Sequence, residues 1–129
     1  MGRALAGNTD GIVVSSKVGI AANEMGDIGG AIARAIDASL SRLKLDHVDL
    51  FQLHNTLGRG DKVAPGRGIV DADIVLSEIV PAFEKLRDAG KTRYLGFTAK
   101  GKRQARRNIC DRRAILHRRG PPAGCRRRL

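Results

Sequence analysis

Two side chains that could do chemistry stand at the ends of predicted strands. His54 closes the apolar run Val48-Asp49-Leu50-Phe51-Gln52-Leu53, and Lys17 lies near the end of Ile12-Val13-Val14-Ser15-Ser16-Lys17-Val18. In parallel α/β sheets, ligand-binding and catalytic groups collect at the carboxyl ends of strands. An imidazole and an ammonium at these two ends therefore mark the first place to look for a site.

The elements that must position these groups can be predicted from apolar spacing. Residues 28–43 carry one apolar stripe at helical period, Ile28, Ile32, Ile36, Leu40 and Leu43, with Asp27 as its N-cap. A second helix is predicted over Ser77–Ala89 and ends at Gly90. Strands are predicted near 12–18, 47–54 and 93–98. The order β-α-β-α-β predicts an α/β fold with about three parallel strands.

The charge of the chain divides it into two parts. Of 24 Lys and Arg residues, 12 lie in residues 1–98, where 12 Asp and Glu balance them. The other 12 lie in residues 99–129 beside the one acid Asp111, so the net charge of +11 belongs to that segment. We therefore predict a folded domain over 1–98 and a disordered or irregular Arg-rich tail over 99–129.

The composition also indicates whether disulfides, a metal site or a membrane span can be expected. Cys110 and Cys125 have no CxxC spacing and no paired histidines, which predicts no metal site and no disulfide framework. No run of about 18 apolar residues exists, so we expect no membrane span. The default expectation is a reducing cytoplasm.

Four stretches in register resemble the aldo/keto reductase family. They are Val13–Gly19, Ala38–Leu43, Asp46–His54 and Ala82–Thr98, and together they span residues 1–98 in the order and at the distances of that family. The resemblance implies part of a (β/α)8 TIM barrel. It also implies a family that transfers a hydride between NADPH and a small carbonyl or alcohol substrate.

The resemblance also assigns roles to individual residues. It implies that Lys17 is the catalytic Lys, which lowers the pKa of a proton-donating Tyr, and that His54 orients the substrate carbonyl. Thr98 stands where the family contacts the nicotinamide amide. The family's Asp and Tyr would lie before Lys17 and have no counterpart here, and Tyr94 is predicted at the wrong end of a strand.

Three hypotheses for the function follow. In the first, the chain is an incomplete aldo/keto reductase whose residues after 98 come from a shifted reading frame, and it is inactive alone, without saturable NADPH binding. In the alternative, the tail is an arm that binds RNA, DNA or another polyanion through charge. No aromatic residue interleaves with the arginines, so we expect no specific nucleic acid. In the third, a working reductase is assembled with a separate upstream fragment that supplies the Asp and Tyr, which self-association cannot supply.

An unfinished barrel would expose surfaces that a closed one buries. Three strands leave two open edges, which favours self-association. We also expect side chains of the barrel interior to face water or a partner, namely Val14, Ser16, Phe51 or Leu53 depending on the register.

Overall fold

The computed structural model of the chain describes residues 9, 11–58, 69–98, 100, 101, 107 and 109. The strands within them are β1 (Ser15–Val18), β2 (Val48–Leu53), β3 (Thr56–Leu57), β4 (Ile69–Val70), β5 (Thr92–Phe97) and β6 (Lys100–Gly101). The α-helices are α1 (Ile28–Leu43), α2 (Ala72–Ile74) and α3 (Val80–Asp88). A 3₁₀ turn covers Ala22–Glu24, and a π-helical segment, Val75–Ile79, joins α2 to α3.

The main sheet has the order β1-β2-β5, and both pairings are parallel. A smaller parallel sheet, β4-β3-β6, stands just beyond the carboxyl ends of β2 and β5. The α1 crossover joins β1 to β2, and the α2–α3 segment precedes β5. This confirms the predicted α/β fold with three parallel strands, a part of a (β/α)8 barrel.

Helix α1 follows from its apolar stripe and its caps. Ile28, Ile32 and Ile36 are buried on the face toward the sheet, as the spacing predicted. The Asp27 carboxylate accepts a hydrogen bond from the Gly30 backbone N–H at 3.0 Å, which satisfies one of the free donors of the first turn. The helix ends at Leu43, and its C-cap Lys44 has a left-handed φ of 57°.

The second helical segment begins earlier than Ser77, so that part of the prediction is wrong. Asp71 is the N-cap, and its carboxylate accepts from the Asp73 N–H at 2.9 Å. The π-helical segment then lets the Val80 N–H donate to the Val75 carbonyl, five residues back. Pro81 follows at once. A proline has no N–H and its ring crowds the carbonyl four residues before it, so the wider spacing accommodates Pro81 inside a continuing helix.

The hydrophobic core lies between the main sheet and the helices. Phe51 and Leu53 of β2 and Val18 of β1 are buried on this face. The Phe51 ring is tilted by 43° against the ring of Phe83 in α3, with centroids 5.3 Å apart, a favourable aromatic arrangement. The face of β2 that packs on the helices is therefore the one that carries the odd-numbered residues.

This packing corrects the expectation about the barrel interior. Val14, Phe51 and Leu53 do not face water, because they belong to the helix side and are buried there. The opposite face carries Ser15 and Lys17, which are exposed, and Leu50, which is half-buried. Successive side chains alternate across a strand, so a register one residue different would have exchanged the two sets.

Residues 99–129 are described only in small part. Lys100 and Gly101 form β6, paired in parallel with Thr56 and Leu57, and Ile109 is buried. Arg107 is exposed, and both Arg107 and Ile109 are helical. The other positions of the predicted irregular tail lie outside the described residues. Within the described part of the chain, no helix has the length and apolarity needed to cross a membrane.

Candidate active site at the carboxyl edge of the sheet

Lys17 lies one residue before the end of β1, on the face opposite the helices. Its register partner in β2 is Gln52, and Gly96 of β5 completes the same row. In-register residues of parallel strands project to the same side of a sheet. The exposed Lys17 ammonium and the half-buried Gln52 amide therefore share one face.

His54 follows β2 on the next row of that face. Its backbone N–H donates to the Val18 carbonyl at 2.7 Å, which ties it to the end of β1. Its Nδ1 lies 3.2 Å from the Thr98 hydroxyl oxygen, within hydrogen-bonding distance. Lys17 and His54, both predicted as site residues, thus end adjacent strands at one edge and on one face of the sheet.

Thr98 is held directly after β5 by the neighbouring strand. Its backbone N–H donates to the Leu53 carbonyl at 2.8 Å, and its hydroxyl donates to Gln52 Oε1 at 3.5 Å. The predicted cofactor residue is therefore in direct contact with the predicted catalytic His54. Gln52, which links the two strands, was not among the predicted site residues.

Asn55 is a second residue that the sequence reasoning missed. It is 1% exposed, and its side-chain amide bonds both backbone groups of Ile20: the Ile20 N–H donates to Oδ1, and Nδ2 donates to the Ile20 carbonyl, each at 2.8 Å. The loop after β1 is thereby held against the segment after His54. The sequence feature that could have indicated this role is an asparagine directly after His54, at the end of the strand. Asparagine side chains in such positions often hydrogen-bond backbone groups.

The amino-terminal side of the sheet has its own polar connection. The Asp49 carboxylate accepts from the Val14 N–H at 2.9 Å and from Arg93 Nη1 at 3.2 Å. The Val14 hydrogen bond, with a smaller contribution from the Arg93 guanidinium, lowers the pKa of Asp49 below its ordinary value of 3.8. Asp49 thereby connects β1, β2 and β5 far from the candidate site.

Other candidates lie apart from the site edge. Tyr94 is the third residue of β5 and is 62% exposed; its partner in β2 is Leu50, two residues before Gln52. His47 is exposed and precedes β2. Among the described residues no group of three or more His, Cys, Asp or Glu side chains could hold a metal ion. The arrangement therefore offers a cation, an imidazole and a hydroxyl to a polar ligand.

Known proteins resemble this chain in sequence and in fold. The profile described as "Aldo/keto reductase family" matches residues 1–114. An aldo/keto reductase from Klebsiella pneumoniae, solved with NADP and acetate, superposes with a TM-score of 0.58 at 33% identity. The superposition covers 83% of this chain and 31% of that one. The holo form of an aldo-keto reductase from Bacillus halodurans gives a TM-score of 0.55 at 32% identity, covering 76% and 30%.

A curated relative gives the same result by sequence. The L-galactose dehydrogenase of Arabidopsis thaliana is 36% identical over 67 residues, which are 52% of this chain and 18% of that protein. The chain thus spans less than a third of the length of each of these three proteins. The profile match covers most of the chain. The chain belongs to the aldo/keto reductase family.

Proposed function

We propose that this chain is a segment of an NADPH-dependent aldo/keto reductase, in which Lys17 and His54 belong to the carbonyl site and Thr98 to the cofactor site. The general reaction of the family is hydride transfer between NADPH and a carbonyl or alcohol. The single observation that carries the proposal is the common edge and face of Lys17, His54 and Thr98, with His54 Nδ1 and Thr98 Oγ1 3.2 Å apart.

The polar groups at this edge fit the amide end of a nicotinamide. The Thr98 hydroxyl oxygen lies 3.5 Å from Gln52 Oε1 and 3.2 Å from His54 Nδ1. A hydroxyl has one proton and two lone pairs, so it can also accept from an amide N–H of a carboxamide. The bound cofactor would supply the hydride. Lys17 would contribute positive charge beside the reacting oxygen, and His54 would hydrogen-bond that oxygen and fix its orientation.

The chain alone is proposed to be inactive, because its one tyrosine, Tyr94, is placed away from His54 and Thr98. A fluorescence titration of the purified chain with NADPH is expected to show no saturable change. The same preparation is expected to leave an aldehyde unreduced. Unaided turnover by the purified chain would contradict this part of the proposal.

The site assignment is tested in a chimera that supplies the rest of the barrel. Residues 1–98 of this chain replace the matching segment of the Klebsiella pneumoniae relative, and aldehyde-dependent NADPH oxidation is measured. We expect the chimera to be active and the Lys17→Met and His54→Asn versions to lose most of the rate. Lys44→Met, on the exposed end of α1, is the matched control and should keep it. Full activity of Lys17→Met and His54→Asn would refute the assignment.

The alternative function, polyanion binding, rests on the concentration of charge in residues 99–129, which hold half of the 24 basic residues. Such a segment binds phosphates with an affinity that falls steeply with salt. We expect its affinity and salt dependence to match those of a polyarginine peptide of equal length. Tighter or sequence-dependent binding to RNA or DNA would favour this alternative.

Self-association is the partner interaction that we propose. Among the described strands, β1 and β5 are each paired on one side in the main sheet. Ile12 and Val13, just before β1, are 49% and 77% exposed. Open strand edges with apolar neighbours favour pairing with another copy. Sedimentation velocity should therefore show a concentration-dependent increase in mass, and a strictly monomeric boundary would contradict it.

A further inference from the structure

The backbone pairing of β1 with β2 ends where Val18 lies opposite Leu53. The same register would place Ile20 opposite Asn55, two rows further toward the carboxyl edge of the sheet. At that row it is the Asn55 side chain that joins the two segments, since its amide bonds both the N–H and the carbonyl of Ile20. One side chain thus continues the ladder beyond its last backbone pair.

The direction of both hydrogen bonds is fixed by the backbone. The Ile20 N–H can only donate, so it meets the Asn55 carbonyl oxygen Oδ1, and the Ile20 carbonyl can only accept, so it meets Nδ2. Both distances are 2.8 Å. In a parallel ladder, a residue directs its N–H and its C=O to the same neighbouring strand, where peptide groups receive them. The Asn55 amide therefore takes the place of a peptide group, and the length of its side chain sets the separation of the two backbones.

The amide lies where no solvent can replace it, because Ile20 is 0% exposed and Asn55 is 1% exposed. Before it, the His54 backbone N–H donates to the Val18 carbonyl at 2.7 Å. His54 therefore lies between two fixed connections, a backbone hydrogen bond on one side and the Asn55 amide on the other. Lys17 adjoins Val18, so the end of β1 that carries the ammonium is held by the same two connections.

We propose that Asn55 is a positioning residue of the candidate site, which fixes the end of β1 that carries Lys17 against the end of β2 that carries His54. The inference rests on the proposed function, since it concerns the two groups assigned to the substrate oxygen. Loss of the amide would leave two buried backbone groups of Ile20 without partners, and the chain would move to hydrate them. Displacement of a catalytic group by about 1 Å can lower a rate about 10²-fold. Asn55 thus acts on the reaction through Lys17 and His54.

A nearly isosteric variant tests this role with pH as the variable. The carboxyl group of Asn55→Asp makes both hydrogen bonds to Ile20 only when it is protonated, because only then does it have an O–H to donate. Burial raises the pKa of such a carboxyl above its ordinary value. In the chimera described above, we expect Asn55→Asp to lower kcat about 10²-fold at about pH 8 and to approach the kcat of the unmodified chimera near about pH 5. The KM for the aldehyde should change much less, because the misplaced groups act in the transition state.

Each kcat is divided by that of the unmodified chimera at the same pH, which removes the titration of groups that both share, such as His54 and the Glu24 carboxylate that accepts from the Ala21 N–H. Asn23→Asp, at an exposed position of the 3₁₀ turn, adds the same carboxyl to the same loop and should keep the ratio near one at every pH. Asn55→Gln retains both hydrogen-bonding groups but adds a methylene, so it should fold and still lose kcat, with a ratio that does not vary with pH. Circular dichroism at each pH restricts the comparison to folded chimeras. The unmodified kcat in folded Asn55→Asp at the alkaline end of this range, or in folded Asn55→Gln, would overturn the proposal.

The full 129-residue chain separates this inference from the function on which it rests. In the Asn55→Asp chain, the urea midpoint should approach that of the unmodified chain as the pH falls, because a carboxyl whose pKa is raised on folding contributes stability that is lost as the pH rises through the folded value. The backbone amide resonances of Val18 and His54 should move toward their unmodified positions over the same range. If the unmodified chimera is inactive while these resonances respond, the reductase function fails and the placement of the strand ends by Asn55 stands. If the chimera is active and the Asn55 variants keep its kcat, the reverse holds.

Discussion

The side-chain amide of Asn55 completes the backbone hydrogen bonds of Ile20, donating to its carbonyl and accepting from its N–H, both at 2.8 Å. Ile20 is fully buried and Asn55 is 1% exposed, so no solvent replaces these two bonds. The loop after Lys17 and the segment after His54 are joined at this point. Asn55 therefore holds together the two strand ends that carry the candidate site.

Asn55→Ala is expected to lower the free energy of unfolding by about 2–6 kcal/mol. The reason is that two buried backbone groups of Ile20 would lose their partners, at roughly 1–3 kcal/mol each. Urea denaturation followed by circular dichroism measures the change. Asn23→Ala, at an exposed position of the 3₁₀ turn, is the control and should change the midpoint little. Equal midpoints for the two variants would contradict the role given to Asn55.

Phe51→Ala should be among the most damaging single changes. Phe51 is fully buried against Phe83, and truncation of a buried Phe typically costs about 3–5 kcal/mol through lost burial and the cavity that remains. Tyr94→Ala, at the 62% exposed aromatic of the other sheet face, should cost less than about 1 kcal/mol. Thermal and urea unfolding of the pair measures the difference; comparable losses would contradict the assignment of the two sheet faces.

The two adjacent glycines of α1 are expected to respond differently to alanine. A Cβ on Gly30 would lie 2.1 Å from Asp27 Oδ2, whereas a Cβ on Gly29 meets nothing within 4 Å. Gly29→Ala should stabilise the chain by up to about 1 kcal/mol through helix propensity. Gly30→Ala displaces the Asp27 carboxylate, and the loss of the cap, about 1 kcal/mol, offsets that gain. The difference in urea midpoint between the two variants checks this expectation, and its absence would show that the cap contributes nothing.

Acid should weaken the connection that Asp49 makes across the three strands. The pKa of Asp49 is lowered from 3.8 in the folded chain, first by the Val14 N–H and then by Arg93. A carboxyl with a depressed folded pKa stabilises the fold above its unfolded pKa, and the contribution disappears as the pH falls through the folded value. Unfolding free energy should therefore decrease below about pH 3.8, and Asp49→Asn should reduce that decrease.

Asp37→Asn is the matched comparison for the acid experiment. The Asp37 carboxylate is 56% exposed and accepts from Lys91 Nζ at 2.5 Å, an exposed pair of the kind that contributes little. We expect the pH dependence of Asp37→Asn to resemble that of the unmodified chain. Identical acid profiles for Asp49→Asn and the unmodified chain would contradict the prediction for Asp49.

The amino-acid sequence by itself determined the local elements and their order. The apolar stripe beginning at Ile28 predicted α1, and the run from Val48 predicted β2, because period and chain direction depend only on neighbouring residues. The family resemblance then indicated Lys17, His54 and Thr98. The sequence pattern misjudged the start of the second helix, because an N-cap at Asp71 and a π-helical segment before Pro81 depend on local hydrogen bonding that apolar spacing does not record.

Only the tertiary structure decided which residues meet. The register of Ser16 with Phe51 assigned Val14, Phe51 and Leu53 to the helix side, a choice that strand periodicity leaves open because both faces of β2 are apolar in part. The contacts of Gln52 with Thr98 and of Asn55 with Ile20 join positions 46 and 35 residues apart. The linear sequence does not fix such contacts, because they follow from the parallel pairing of the strands. The contact of Gln52 with Thr98 also depends on Gly96, where a Cβ would lie 3.3 Å from Gln52 Cγ.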